Sequence, residues 1–296
     1  MKELFECERT ADGIEVKAYH GDREEVMVPE MLEGIPVVKI GAYCFHNMRQ
    51  LRKIKIPDGV TEIGSHCFYD CRNLKTVCLS DRVVSIEDGA FKNCQEVTDI
   101  WMNVLIYKTT CLHSLLEEMS QKLNIRMDYY ENGTCVKSGK AVFPKYLLDY
   151  EDNVPARIIN QVTYGSGVHY RQCLNEDGID FRSYDQTFQV AKVNDTVETL
   201  YEIARNRLKY PYDLTSEARK HYVAYLNENL MEIVKLLLKS EESEELLFLG
   251  ENGLLTEDNM DSIIDLAHDM EKTESVSVLL DYKNKHFRRK QKSFVL

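Results

Sequence analysis

Three phenylalanines, Phe45, Phe68 and Phe91, stand 23 residues apart. The same step joins Val37, Val60 and Val83, then Ile40, Ile63 and Ile86, then Leu51, Leu74 and Val97, then Ile54, Val77 and Ile100. A fixed period of this length restricts the chain to a stacked solenoid, because each repeat hides its apolar side only against the next one. Within a repeat, Leu51-Arg52-Lys53-Ile54-Lys55-Ile56 turns Leu51, Ile54 and Ile56 inward and Arg52, Lys53 and Lys55 toward water. Pro57-Asp58-Gly59 then turns the chain, and Val60 to Ile63 makes a second short strand. Gly64 is expected to supply a backbone conformation that other residues resist. Phe68 plugs the rung between Phe45 and Phe91, and burying one such ring is worth about 1.5–3 kcal/mol.

Leu4 to Val28 alternates around Asp12-Gly13, a hairpin signal that suits the cap of a solenoid's first rung. From Val28-Pro29-Glu30 through Gly34, Pro36-Val37, Ile40-Gly41 and Phe45, and again from Leu51 through Ile54, Ile56-Pro57, Val60-Thr61, Ile63-Gly64, Phe68 and Cys71, the chain resembles the BspA-like class of leucine-rich repeats. The third rung has Glu87 where Gly41 and Gly64 stand, and Met102-Asn103 follows where a proline would open another. The repeats are therefore expected to stop there, giving a solenoid of three rungs over residues 1–103. The resemblance implies a binding protein, and also the surface or adhesin-like setting in which such repeats are often found.

Composition points to a different setting. The chain of 296 residues carries a formal net charge of −12, which argues against general nucleic-acid binding because a phosphate backbone would be repelled. Met1 to Thr10 has no apolar core of an export signal, and no run is long enough to span a membrane. The nine cysteines are an odd number. Cys44 and Cys67 share their repeat position with Ala90, and Cys71 and Cys94 share theirs with Met48, which fits apolar ladders rather than a zinc site. These features predict a reduced, cytoplasmic protein.

The outward strand positions form the candidate partner-binding surface. Rows across the rungs read Lys55, Cys78, Trp101, then Lys53, Thr76, Asp99, then Arg52, Lys75, Thr98. Trp101 is the chain's one tryptophan at a nominally exposed site, and aromatic and basic side chains are favoured as interface anchors. Arg52, Lys53, Lys55, Lys75 and Trp101 are thus candidates for a protein partner. The competing expectation is that the next segment folds over Trp101 and closes the solenoid.

Residues 104–194 do not repeat and form a mixed α/β central segment. Leu112, Leu115, Leu116, Met119 and Leu123 lie at helical spacing, Ile125 to Tyr130 is a strand, and Glu131-Asn132-Gly133 turns it into a partner over Thr134 to Val142. Pro155 to Ile159 leads to Tyr164-Gly165-Ser166-Gly167-Val168-His169-Tyr170-Arg171-Gln172-Cys173. A nucleophile elbow needs G-x-S-x-G, and a phosphate loop needs a lysine; both are missing here. His169, Tyr170 and Arg171 remain candidates for contacting a partner or small ligand, which keeps an enzyme or ligand sensor as the rival reading. No metal, cofactor or catalytic set is called for by the sequence.

Residues 195–296 take a helical period. Val197 to Lys209 is a helix stopped at Tyr210-Pro211, and Thr215 with Glu217 starts another. A 33-residue step pairs Leu230 with Ile263, Ile233 with Leu266, Val234 with Ala267, Leu237 with Met270, Glu241 with Glu274 and Leu246 with Leu279. Helix pairs at this spacing resemble ankyrin repeats, without their T-P-L-H entry. Lys283 to Lys292 holds six basic residues and is expected to be a disordered tail. The chain is read as an α+β multidomain protein: a short BspA-like β-solenoid, a mixed middle, and an ankyrin-like helix-hairpin solenoid. Its expected role is a non-catalytic scaffold for protein partners.

Overall fold

The computed structural model describes residues 4–108, 110–153, 158–175 and 178–287. The chain divides into two compact units, Met1–Asp195 with Lys209–Leu214, and Thr196–Leu208 with Thr215–Leu296. Pro155-Ala156-Arg157 lie outside the described residues, as does the basic tail from residue 288 onward. The first part of that basic stretch, Lys283 to His286, is not disordered but belongs to the last helix.

The first unit opens on an antiparallel hairpin, β1 (Phe5–Arg9) and β2 (Ile14–Tyr19). Then come β3 (Glu25–Met27), β4 (Met31–Leu32), β5 (Ile35–Ile40), β6 (Lys53–Lys55), β7 (Glu62–Ile63), β8 (Thr76–Ser80), β9 (Ser85–Ile86) and β10 (Asp99–Val104). Strands β2, β5, β7 and β9 stack in parallel as one sheet, and β3, β6, β8 and β10 as a second. In the second sheet Ile54 pairs Val77 and Val77 pairs Ile100, so the 23-residue step is the strand register itself. The phenylalanine rings stack as predicted, Phe45 on Phe68 at 5.2 Å and Phe68 on Phe91 at 4.9 Å. Tyr19 of the hairpin continues the column 5.5 Å from Phe45. Backbone amides tie the turns together, Phe45 N–H to the Cys67 carbonyl and Phe68 N–H to that of Ala90.

The cysteines belong to this core. Cys44, Cys67, Cys71 and Cys94 are buried, and the thiols of Cys71 and Cys94 donate to the carbonyls of Phe45 and Phe68 at 3.0 and 3.1 Å. Burial pushes the Cys71 thiol up to about 12, so it stays protonated. Gly64 has a different role from the one expected. Its φ is not in the left-handed region; instead a Cβ there would lie 2.5 Å from the Ala42 nitrogen, so the requirement is close approach of one rung's backbone to the next.

The solenoid does not stop at Met102-Asn103. Helix α1 (Thr110–Glu117) crosses over, and β11 (Leu123–Glu131) pairs in parallel with β10 from Asp99–Asn124 to Val104–Tyr129. Five parallel strands, β3, β6, β8, β10 and β11, therefore make the second sheet, and β12 (Thr134–Phe143) closes it antiparallel to β11. The continuation escapes the 23-residue pattern because α1 replaces the second short strand and the phenylalanine plug. Leu112, Leu115, Leu116 and Met119 are all buried beneath that crossover. Its end also satisfies the exposed rung: the Glu118 carboxylate accepts the Phe91 N–H at 2.7 Å, and Gln121 Nε2 donates to the carbonyls of Cys94 and Val97. Buried Asp81 accepts the amides of Leu105, Ile106 and Lys108.

Beyond the sheet, β13 (Leu147–Asn153) and β14 (Ile158–Tyr164) pair antiparallel. Short α2 (Gly167–Arg171), β15 (Leu174–Asn175), β16 (Gly178–Ile179) and α3 (Phe181–Asn194) follow, with Asp180 capping α3. The Tyr184 hydroxyl accepts the Val142 amide at 3.0 Å and donates to the Val142 carbonyl at 2.7 Å, tying α3 to the outer edge of β12. The returning segment Lys209–Leu214 brings Tyr212 to 6.4 Å from Tyr129 and 5.9 Å from Phe181, with the Lys137 ammonium 4.4 and 4.0 Å from the Tyr129 and Tyr212 rings.

The second unit is helical: α4 (Val197–Lys209), α5 (Ser216–Glu228), α6 (Leu230–Ser240), α7 (Ser243–Glu251), α8 (Glu257–Asp269) and α9 (Thr273–His286). Thr215 caps α5 through the Ala218 amide. Leu230, Ile233, Val234, Leu237 and Leu238 bury one face of α6. Two helix ends correspond closely, and they revise the spacing. Glu241 and Glu271 both take left-handed backbone, and Glu242 N–H to Leu237 O recurs as Lys272 N–H to Ala267 O. The structural step is thus 30 residues, pairing buried Leu230 with Met260, Ile233 with Ile263 and Leu249 with Leu279. The 33-residue step lies three residues away, nearly one helical turn. A slip of that size leaves the apolar stripe almost in phase.

Candidate functional site

On the exposed face of the five-stranded sheet, register sets side chains from separate rungs in rows. Lys55 lies beside Cys78, Cys78 beside Trp101, Trp101 beside Arg126, and Arg126 beside Lys140. A trough of about 560 Å³ runs over this face, lined among others by Lys53, Lys55, Cys78, Trp101, Arg126 and Asp128. Its floor is built by alternation: Ile54, Val77, Ile100 and Ile125 point into the core and are buried, so their neighbours point out. Cys78 is the small member of the row, and beside it Lys53 Nζ reaches to 4.5 Å from the Trp101 ring centre.

Trp101 remains 41% exposed. The expectation that the next segment folds over it is overturned, because β11 comes alongside β10 in the sheet plane and leaves the face open. Arg126 enters from that strand. Its Nε donates to Asp128 at 2.9–3.1 Å, which raises the guanidinium above its usual range, and Asp128 also accepts from Ser138 Oγ at 2.6 Å. Asn103 is held by Asp58 at 3.1 Å. Sequence reasoning missed Arg126, Asp128 and Asn103 as members of the face. The available signal was the alternation of Ile125, Arg126, Met127 and Asp128, set 25 residues rather than 23 after Ile100, Trp101, Met102 and Asn103.

Of the other candidates, Arg52 pairs with Glu24 at 3.2 Å; the nearby basic residues Arg49 and Arg72 lie on Asp70 at 3.7 and 2.8 Å. Lys75 is exposed on the turn row beside Arg52, outside the trough lining. His169, Tyr170 and Arg171 are not brought together as one surface. His169 is exposed, whereas Tyr170 is buried with its ring 4.6 Å from that of Tyr184. Arg171 spends its guanidinium on the carbonyls of Leu116, Met119, Gln121, Pro144 and Gly167 at 2.6–3.2 Å, and stacks over Tyr146. Burial lowers it to about 10, still well above neutrality, so it remains a cation pinning the crossover. The Gly165-Ser166-Gly167 stretch is a packing turn: a Cβ at Gly165 would meet the Lys145 carbonyl oxygen at 2.5 Å and one at Gly167 the Pro144 oxygen at 2.2 Å. Ser166 Oγ is buried and donates to Asp195, whose carboxyl is raised by burial.

Residues 30–122 match the family model described as the BspA type leucine rich repeat region, in six copies. That span runs past β10 and through α1, and the chain carries a leucine-rich-repeat region of this type. Among solved structures it is similar to a leucine rich cell surface protein from Faecalibacterium prausnitzii, at 29% identity over 41% of this chain and 35% of that one, with a TM-score of 0.31. It is also similar to a leucine-rich repeat protein from Bacteroides capillosus (25% identity, 33% and 77% covered, TM-score 0.31) and to a leucine rich repeat protein of T. pallidum (20% identity, 37% and 77% covered, TM-score 0.26). The chain spans about a third of the length of the first of these. A comparison with curated proteins finds no match. Among the described residues no helix is long and apolar enough to cross a membrane.

Proposed function

We propose that the chain is a non-catalytic protein-binding scaffold whose partner docks on the open strand face of the solenoid. The observation that carries this reading is Trp101, a large aromatic held on a rigid sheet and left 41% exposed in a trough flanked by cations. A fixed aromatic anchor loses little conformational freedom on binding, which is why such residues dominate interface energetics. The helical hairpins serve as a second interaction module. Their likeness to ankyrin repeats rests on hairpin form, since the 30-residue step between helix ends is shorter than the 33 of that family. All nine cysteines are free, which supports a reducing, cytoplasmic setting.

Crosslinking with mass spectrometry in the native host tests the reading, comparing wild type with Lys53→Glu and Trp101→Ala. Both substitutions are expected to lose the same partner. A partner kept by both would move the docking surface off the strand face, and recovery of nothing specific would remove the scaffold role. Subcellular fractionation checks the cytoplasmic assignment separately.

A further inference from the structure

The cations of the trough are placed for more than general attraction. Asp128 engages Arg126 through Nε, and among the described residues the two terminal amines of that guanidinium have no acceptor. This leaves a planar fork, fixed at its base by Asp128 and Ser138, facing the trough. Three strands away in the same row, at about 14 Å by strand spacing, stands Lys55, with Lys53 beside it. Among the described residues no carboxylate lies within ion-pair distance of either lysine, although the chain's net charge is −12. Of the acids near them, Asp128 holds Arg126, Asp99 accepts the Thr98 hydroxyl at 2.7 Å, and Glu25 lines the trough from the edge strand β3, in register with Lys53 but outside ion-pair distance of it. Trp101 lies between the two cationic ends.

We infer that this trough takes an extended acidic segment of a partner protein, one carboxylate on the Arg126 fork, a second on Lys53 and Lys55, and an apolar side chain against Trp101. The inference rests on the strand-face reading above and adds the chemistry of the occupant. Extended chain rises about 3.3 Å per residue, so the two carboxylates belong about four residues apart. A nucleic-acid strand carries a charge at every nucleotide and would also set phosphates over Glu25 and Asp128, which line the trough, whereas two carboxylates spaced to the cations need not.

The test is selection of a random peptide library on the immobilised 296-residue chain, followed by titration of the selected peptide while reading Trp101 fluorescence. Trp101 is the one tryptophan in the chain, so the signal reports the trough itself. Selected sequences are expected to carry paired Asp or Glu at the stated spacing, and Arg126→Gln is expected to weaken binding by about tenfold or more. Arg126→Lys, which keeps the charge and loses the fork, gives an intermediate loss and guards against misfolding of the glutamine variant. The inference is overturned if nothing is selected, if selected peptides are neutral or basic, or if the amide counterpart binds equally. It also falls if inorganic polyphosphate competes as well as the peptide does. Crosslinking of Arg126→Gln separates the two levels. A cellular partner lost by Trp101→Ala but kept by Arg126→Gln leaves the strand face standing and removes the acidic occupant; a partner kept by both removes both.

Discussion

Phe68 has a phenylalanine ring on each side, at 5.2 and 4.9 Å, and no exposed surface. Removing it opens a void inside a stack that cannot close without shifting two rungs. Phe68→Ala is expected to cost about 3–5 kcal/mol, read as a fall in the urea midpoint followed by Trp101 fluorescence. Asp70 makes a second residue-level case, through pH. Its carboxylate accepts from Arg72 Nε at 2.8 Å and from Asn93 at 3.5 Å, and the Arg72 hydrogen bond holds it below its ordinary 3.8. A carboxyl lowered in the folded state adds stability that is complete above its unfolded value and is lost as pH falls through the folded one. Asp70→Asn should therefore flatten the stability profile below about pH 4 and leave the slope near neutrality unchanged; an acid limb identical to wild type would exclude this role. The apolar columns were legible because identical chemistry recurs at identical spacing. The left-handed backbone shared by Tyr43, His66 and Gly89, and by Asn47, Asp70 and Asn93, was less so: glycine, asparagine, aspartate and histidine favour that conformation, but the residue type changes from rung to rung and tyrosine gives no sign of it.

At the level of elements, the first three rungs were readable from periodicity, and the later ones were hidden by a substitution of parts. Helix α1 does the work of a short strand and a phenylalanine plug, so the repeat vanishes from the sequence while the parallel sheet continues. Half of the trough was therefore invisible: Lys53, Lys55 and Trp101 lie on repeat positions, but Arg126 and Asp128 arrive on a strand with a different offset. The helical half shows the opposite failure, where a real repeat was found with a step wrong by nearly one turn. Where α1 ends, the handover from rung to helix depends on Glu118 as acceptor for the Phe91 amide. Glu118→Gln keeps an acceptor oxygen, whereas Glu118→Ala leaves that amide unmet. Alanine is expected to cost about 1–3 kcal/mol and to speed hydrogen exchange at Phe91 well above that of Phe68, whose amide keeps the Ala90 carbonyl. Equal exchange in the two variants would show that water replaces the carboxylate without loss.

For the molecule as a whole, the path of the chain carries a constraint that composition does not reveal. It leaves the first unit after Asp195, returns to it over Lys209–Leu214, and leaves again. The returning segment is short, yet Tyr212 meets Tyr129 of the sheet and Phe181 of α3, and Lys137 lies over both tyrosines. The side chain is itself half open to solvent, so its value lies in these ring and cation contacts more than in burial. Such contacts are worth about 1–2 kcal/mol together. In a unit of this size that lowers the thermal midpoint by about 2–8 °C. Trp101 lies in the first unit and is the chain's one tryptophan, so its fluorescence follows that unit. Tyr212→Ala is therefore expected to lower the fluorescence-detected midpoint, although residue 212 is far along the chain from the solenoid. Tyr212→Phe should restore it, because the ring contacts survive the loss of the hydroxyl. An unchanged fluorescence midpoint in the alanine variant would mean that the first unit is complete without its returning segment.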